Sequence, residues 1–263
     1  MSQPGQPASA SADSSEVFLT VVVPVYNEAF RIPSALQQIL EYLERRPEAC
    51  EVLVVDDGST DNTAELVEKV SRATRAVRLL RHPVNSGKGF AVRTGMLNAC
   101  GEYLLFTDAD LSSPMTEADR LLEPLKSGYD VVIGSRALKP EWISPRQPLL
   151  REASGRAFNF LARSIASLDF RDTQCGFKAF RRQAAREIFS RQAIRGFAFD
   201  VEILYLARKL GYRTLEVPVH WGNDARTKVH PFRDGPRMVA DLLRIRWNDW
   251  AGKYRSQESE PRA

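Results

Sequence analysis

Apolar residues recur along this chain with two periods, and the two periods alternate. Val17 to Val25 is a near-continuous β-branched run, the pattern of a strand buried on both faces. After Pro33, Leu36, Ile39, Leu40 and Leu43 repeat at helical spacing and predict a helix to about Arg46. Val52 to Val55 predicts a second strand. Asn62 and Glu65 then stand at capping-box spacing before a helix through Val70. Val77 to Leu80 is a third strand, followed by a helix to about Ala99. Tyr103 to Phe106 is an apolar run short enough for a buried central strand. A helix over Thr116 to Leu125, with Asp119 in capping-box position, and a strand at Val131 to Ile133 complete the regular part. Such alternation predicts an α/β fold, a mostly parallel sheet with helices on both faces. Beyond Arg136 the pattern loosens. Residues 137–150 are Pro-rich, Arg151 to Ile165 reads as a helix, and residues 172–178 read as a loop entering a short strand. Phe199 to Leu210 is helical, Arg213 to Val219 extended, and Pro236 to Tyr254 helical. One domain over residues 16–255 is expected, between disordered tails at 1–15 and 256–263.

Polar residues gather where the predicted strands end. Glu28 follows the first strand, Asp56 and Asp57 the second, and Asp108 and Asp110 the central one. The carboxyl edge of an open α/β sheet is where such folds bind ligands. In a strand, side chains two apart share a face and neighbours oppose; in a turn, Asp108 and Asp110 can converge. Convergent carboxylates repel unless a cation lies between them, and Mg²⁺ or Mn²⁺ held by carboxylates and phosphate oxygens suits that arrangement. With such a cation the three loops could take a nucleoside diphosphate. A Walker loop is excluded, since Gly87-Lys88-Gly89 lacks the Ser/Thr after its lysine. No Gly-x-Gly-x-x-Gly follows the first strand. A receiver-type aspartate fold would also cluster acids at a strand edge, but needs no second, basic half.

That basic half is a matter of charge distribution. The chain has 263 residues and a formal net charge of +4. Residues 1–135 carry 12 Lys+Arg against 19 Asp+Glu, and residues 136–263 carry 25 against 14. A basic half of this kind suits phosphates or an anionic membrane surface; solvated helix faces are the plainer explanation for most of its arginines. Cys50, Cys100 and Cys175 are odd in number and scattered, which fits a reducing cytoplasm better than a disulfide framework. No apolar run approaches the roughly 20 residues of a membrane span, and the N-terminus has no signal-peptide pattern.

Eight blocks, in order, resemble one family. They are Pro24-Val25-Tyr26-Asn27-Glu28, Asp56-Asp57-Gly58-Ser59-Thr60-Asp61, Asn85-Ser86-Gly87-Lys88-Gly89, Asp108-Ala109-Asp110-Leu111-Ser112-Ser113, Gly134-Ser135-Arg136, Asp172-Thr173-Gln174-Cys175-Gly176-Phe177-Lys178, Phe199-Asp200-Val201-Glu202 and Lys228. Together they resemble the inverting GT-A glycosyltransferases of family 2, most of all the dolichyl-phosphate β-glucosyltransferases and next the dolichyl-phosphate mannose synthases. The resemblance implies a Rossmann-like GT-A fold, a nucleotide-sugar donor, a polyprenyl phosphate acceptor, and Mg²⁺ or Mn²⁺. It implies that Pro24, Tyr26, Glu28, Val55 and Asp57 hold the nucleoside, Asp57 facing the base. Lys88, Asp108 and Ala109 would face ribose and diphosphate, with Asp110 and Asp108 at the metal and Lys228 on the diphosphate. Arg136 and Arg151 would grip the lipid phosphate, and Asp172 and Asp200 would be active-site acids. Gly222 stands six residues before Lys228, where the mannosyl branch has an arginine. UDP-glucose is therefore the expected donor and GDP-mannose the rival, with a non-catalytic nucleotide-sugar-binding protein as the alternative of another class.

A phosphate monoester has a second pKa of about 6 and is already an anionic nucleophile at neutral pH, so no strong general base is required. The expected setting is the cytoplasmic face of a membrane, bound peripherally, without nucleic acid. Val239, Leu243, Trp247, Trp250 and Tyr254 recur at helical spacing among basic residues and supply one candidate contact; Trp142 and Ile143 supply another.

Overall fold

A computed structural model describes residues 17–144, 149–222 and 231–255. Both predicted tails, and Lys228, lie outside these residues. Seven strands form one sheet: β1 (Leu19–Val25), β2 (Cys50–Asp56), β3 (Val77–Arg81), β4 (Tyr103–Thr107), β5 (Val131–Ser135), β6 (Phe177–Arg181) and β7 (Thr214–Pro218). Their order across the sheet is β3-β2-β1-β4-β6-β5-β7. Every pairing is parallel except those of β6, which runs antiparallel to both β4 and β5.

The helices are α1 (Ile32–Glu44), α2 (Thr63–Ala73), α3 (Lys88–Asn98), α4 (Ala118–Lys126), α5 (Leu149–Ala166), α6 (Arg182–Arg191), α7 (Phe199–Lys209) and α8 (Pro231–Trp250). Strand alternation sends successive side chains to opposite faces. Val22, Leu53, Val55, Leu104 and Phe106 enter one core with residues of α3, α6 and α7, while Val21, Val23, Val52, Val54 and Leu105 enter the other with α1 and α4. Both faces are covered, which explains why these strands read as continuous apolar runs rather than alternating ones.

Two helix starts differ from the expected caps. Asn62 makes no side-chain cap bond; Asp61 instead accepts from the Thr63 amide at 3.0 Å. Before α4 comes a single 3₁₀ turn, Met115–Glu117. Asp119 is drawn away to the Tyr42 hydroxyl and Arg46, so no Thr116–Asp119 box forms. Helix α6 has no counterpart in the expected elements. Its arginines mask a narrow apolar face of Ala184, Ala185, Ile188 and Phe189.

The reversed strand brings two distant loops together. Thr107 pairs with Phe177 and Phe106 with Lys178. The loop entering β6 therefore arrives at the same edge as the turn leaving β4.

Candidate active site

Chain geometry at the end of β4 folds the acid pair into a turn. Leu111 N–H donates to Asp108 C=O at 3.0 Å, and Ser112 N–H to Asp110 Oδ1 at 3.0 Å. Leu111 sits at φ +45°, a left-handed conformation that costs a branched residue energy and is held by its surroundings. Ala109 between the acids is buried, and Asp110 opens to solvent. Burial of its base, and then the charge of Asp108, raise the Asp110 carboxyl above its ordinary range. Asp108 has a cation already: Lys88 Nζ lies 2.7 and 2.9 Å from its two oxygens. Burial alone would lower the Lys88 pKa. Asp108, Asp200 and Asp110 around it outweigh that, and its pKa lies above the usual value.

Gly176 closes the wall behind Asp108. A Cβ there would overlap the Asp108 carboxylate, so the loop approaches this closely only as glycine. Beneath lies a buried ion pair. Lys178 Nζ, fully buried, donates to Asp200 Oδ1 at 2.5 Å and to Cys175 C=O at 2.6 Å. Burial raises the Asp200 carboxyl, against the pull of Lys178 and Lys88. Lys88, Asp108, Asp110, Asp200 and Lys178 thus form one charged cluster drawn from β4, α3, β6 and α7.

Arg136 leaves β5 at the same edge. Its Nε and Nη2 meet Asp172 Oδ2 and Oδ1 at 2.7 and 2.8 Å, and its backbone N–H meets Oδ2 at 3.0 Å. This bidentate pair holds Asp172 down to about 2, even though burial alone would raise it. It leaves Nη1 of Arg136 without a partner among the described residues, and the side chain is partly open. The Trp221 ring supports the guanidinium, Cζ lying 5.5 Å from its centroid. Arg151 is in the first turn of α5; its side chain lies outside what the structure describes.

The loops after β1, β2 and β3 are laced together. Asn27 accepts from Thr60 N–H at 2.8 Å and donates its own N–H to Ser59 Oγ at 2.9 Å. Tyr26 is exposed on this rim, and Glu28 pairs with Arg31 at 3.0 Å. Asp57 is buried, and its carboxylate accepts from Ser86 N–H and Gly87 N–H, with His82 Nδ1 2.7 Å away. Its geometry therefore assigns it to shaping the 84–87 loop. That departs from an Asp57 whose carboxylate is free to read a base, because its acceptor sites are filled from within. Pro24 and Val55 face each other in register, both buried, with Val55 facing α3 at Gly95. Val55 belongs to the core, and Pro24 is buried beside it.

Glu202 serves the fold. Its carboxylate accepts from Ala193 N–H, Ile194 N–H and the Tyr254 hydroxyl. His82, Lys178, Glu216 and Trp221 enter these contacts without having been assigned roles by the sequence pattern. Lys178 carried a visible signal, a lysine between Phe177 and Ala179 in a strand with both faces covered, where only a paired charge survives. The others had none, since their partners are distant in the chain.

A family model described as glycosyl transferase family 2 matches residues 20–189. The chain belongs to glycosyl transferase family 2. As a member it is a glycosyltransferase, and its fold is the GT-A fold. It is similar to the dolichyl-phosphate beta-glucosyltransferase of Dictyostelium discoideum, 35% identical over 251 residues that cover 91% of this chain and 77% of the relative. The Drosophila melanogaster protein of that name is 40% identical over 247 residues, covering 89% and 76%. Among solved structures, glucosyl-3-phosphoglycerate synthase from Mycobacterium tuberculosis, crystallised with Mn²⁺, UDP and phosphoglyceric acid, superposes with a TM-score of 0.65. That match is at 19% identity and covers 94% of this chain and 81% of that one. Mannosyl-3-phosphoglycerate synthase from Rubrobacter xylanophilus gives 0.64 at 20%, covering 93% and 77%. These likenesses bear on the fold.

Proposed function

We propose that this glycosyltransferase moves glucose from UDP-glucose to a polyprenyl phosphate such as dolichyl phosphate, giving polyprenyl β-D-glucosyl phosphate and UDP. The observation that carries the reading is the pairing at one sheet edge of two anion-handling centres. One is the Asp108–Asp110 turn with Lys88; the other is Arg136, forked by Asp172 through Nε and Nη2 and partly open to solvent. The first suits a leaving diphosphate with its cation, the second an attacking phosphate. Similarity to relatives named for dolichyl phosphate and glucose points the same way.

The donor set fits Mg²⁺ or Mn²⁺. Asp108 and Asp110 offer carboxylate oxygens alone, and among the described residues no cluster of three or more His, Cys, Asp or Glu could hold a metal. Two carboxylates leave positions for phosphate oxygens and water, the usual state of such ions in nucleotide sites. When bound, the ion neutralises charge on the leaving diphosphate. The charge of Asp108 beside Asp110 is one that a cation between the two would offset.

The chain's own residues do the rest. Arg136 orients the acceptor phosphate by charge-assisted hydrogen bonds, with Arg151 proposed as its partner. A phosphate oxygen attacks C1 of glucose from the side opposite the diphosphate. The new C1–O bond forms as the bond to the UDP β-phosphate breaks, and an α-linked donor gives a β-linked product. Lys88, released from Asp108, and Lys228 are proposed to meet the departing diphosphate. The acceptor brings no proton that must leave, so Asp172 and Asp200 act by holding Arg136 and Lys178. We place the reaction at the cytoplasmic face of a membrane, with the protein bound peripherally; no helix among the described residues is long and apolar enough to cross one.

The test is a donor screen with polyprenyl phosphate and Mg²⁺ or Mn²⁺. Transfer from UDP-glucose, with UDP bound more tightly than GDP, is the expected result. Mannose transfer from GDP-mannose would move the chain to the mannosyl branch. Nucleotide-sugar binding without a single turnover would make it a binding protein.

A further inference from the structure

Residues 171–174, which carry Asp172, lie outside any strand, and side chains take up each of their amide hydrogens. Arg171 N–H donates to Glu216 Oε2 at 2.8 Å and Asp172 N–H to Glu216 Oε1 at 2.7 Å. Thr173 N–H goes to Asn159 Oδ1 at 3.2 Å, and Gln174 N–H returns to Asp172 Oδ1 at 3.1 Å. Glu216 therefore clamps two consecutive amides, one oxygen to each. It stands on β7, opposite Ile133 of β5. Its neighbours Leu215 and Val217 pack into the core on the other face, so Glu216 itself adds no apolar packing.

We infer that Glu216 is a positioning residue for the acceptor phosphate, acting through Asp172 on Arg136. The inference rests on the reading that Arg136 grips that phosphate. A chain of three polar contacts links them: Glu216 sets the backbone of residue 172, Asp172 sets the plane of the guanidinium, and the plane decides where Nη1 points. β7 fixes Arg136 from two sides, since the chain continues from it to Trp221, whose ring supports the guanidinium face. A carboxylate suits this place because it offers one acceptor oxygen to each of the two amides. Glutamine offers one acceptor oxygen and sets an NH₂ donor against the second amide.

The test is steady-state kinetics of the full chain with polyprenyl phosphate and UDP-glucose, for wild type, Glu216→Gln, Glu216→Asp, Arg136→Lys and the Glu216→Gln plus Arg136→Lys pair. UDP binding is measured alongside by calorimetry. Glu216→Gln is expected to raise the acceptor KM about tenfold, the scale of one lost charge-assisted hydrogen bond, with the UDP-glucose KM and UDP affinity unchanged. Glu216→Asp, which keeps both oxygens, should recover part of the loss and stays informative should the glutamine variant fold poorly. In the pair, Glu216→Gln should add nothing to Arg136→Lys. An acceptor KM raised by Arg136→Lys but unmoved by either Glu216 variant overturns the inference alone. Equal loss of UDP affinity in the Glu216 variants also overturns it, by making the clamp a general support. An acceptor KM untouched by Arg136→Lys overturns the acceptor reading of Arg136 beneath it.

Discussion

Asp110 and Asp172 are carboxylates at one sheet edge whose surroundings push them in opposite directions. Burial and the charge of Asp108 raise Asp110, leaving a group that gains by meeting a cation. Arg136 holds Asp172 low despite its burial. Separating like groups by environment is how a site assigns roles to identical chemistry. Asp110→Asn removes the charge proposed to face the cation, and turnover should fall about a thousandfold or more, the equivalent of several kcal/mol of leaving-group stabilisation. Near wild-type turnover in Mg²⁺ would remove Asp110 from the metal. Asp172 predicts a pH effect. Its folded pKa of about 2 lies below the ordinary value of about 3.9. Its stabilising contribution is therefore complete above about pH 5 and is lost as pH falls through 4 towards 2. A shift of this size corresponds to about 2–3 kcal/mol. Denaturant unfolding of wild type and Asp172→Asn should differ most near neutrality, with the gap closing in acid; a gap constant between pH 7 and pH 3 would contradict the assignment.

At the scale of elements, the site depends on ties that cross between them. Tyr254, just past α8, donates to Glu202 of α7 at 2.5 Å, and Glu202 in turn holds the amides of Ala193 and Ile194. That segment supports the start of α3: Phe90 N–H donates to Arg195 C=O at 3.3 Å, and Gly87, at φ +102°, has no room for a Cβ against the same carbonyl. Tyr254→Phe strips a buried carboxylate of one partner and should lower stability by about 1–3 kcal/mol, seen as a lower melting temperature. An unchanged melting temperature would mean the contact carries no net stability. Legibility divides along the same lines. Strand and helix periods exposed β1 to β5 because both faces of these strands are covered and their apolar runs are continuous. The acid turn was visible because a strand signal ended in Asp108. The direction of β6 was not visible, since five residues read alike either way, yet it brings Gly176 against Asp108. Asp57, Asp172 and Glu202 look alike as isolated acids in loops and helix starts. Only the packed structure shows that Asp57 holds amides of the 84–87 loop, Asp172 forks an arginine and Glu202 ties a loop.

Across the whole molecule the uneven charge resolves into two populations. Many arginines of the basic half are spent internally on backbone carbonyls: Arg181 on Leu125, Arg182 on Gly101, Arg213 on Gly128. Helix α8 is different. Leu242 and Ile245 are fully buried, while Leu243, Trp247 and Trp250 stand 59%, 61% and 77% exposed, the two indoles 5.1 Å apart. Tyr254, on the same predicted stripe, turns inward instead. Arg237, Arg244, Lys253 and Arg255 are exposed around this row. Exposed tryptophans among basic side chains suit the headgroup level of an anionic membrane. The other proposed contact is committed elsewhere: Trp142 stacks on His220 at 4.1 Å, with Arg120 and Lys139 over its ring, and Ile143 bridges to Trp221. A lipid acceptor needs such a seat, because each CH₂ drawn from the bilayer into water costs about 0.8 kcal/mol. The chain should therefore co-sediment with anionic liposomes at low salt and release at high salt, since basic residues near the surface contribute about 1 kcal/mol each and are screened. Trp247→Ala plus Trp250→Ala should weaken binding by at least about tenfold, given the apolar area two indoles lose. Trp142→Ala plus Ile143→Ala should leave it intact. Loss in the second variant and not the first would move the membrane face to residues 139–144, and no binding at any salt would remove the lipid acceptor from the proposal.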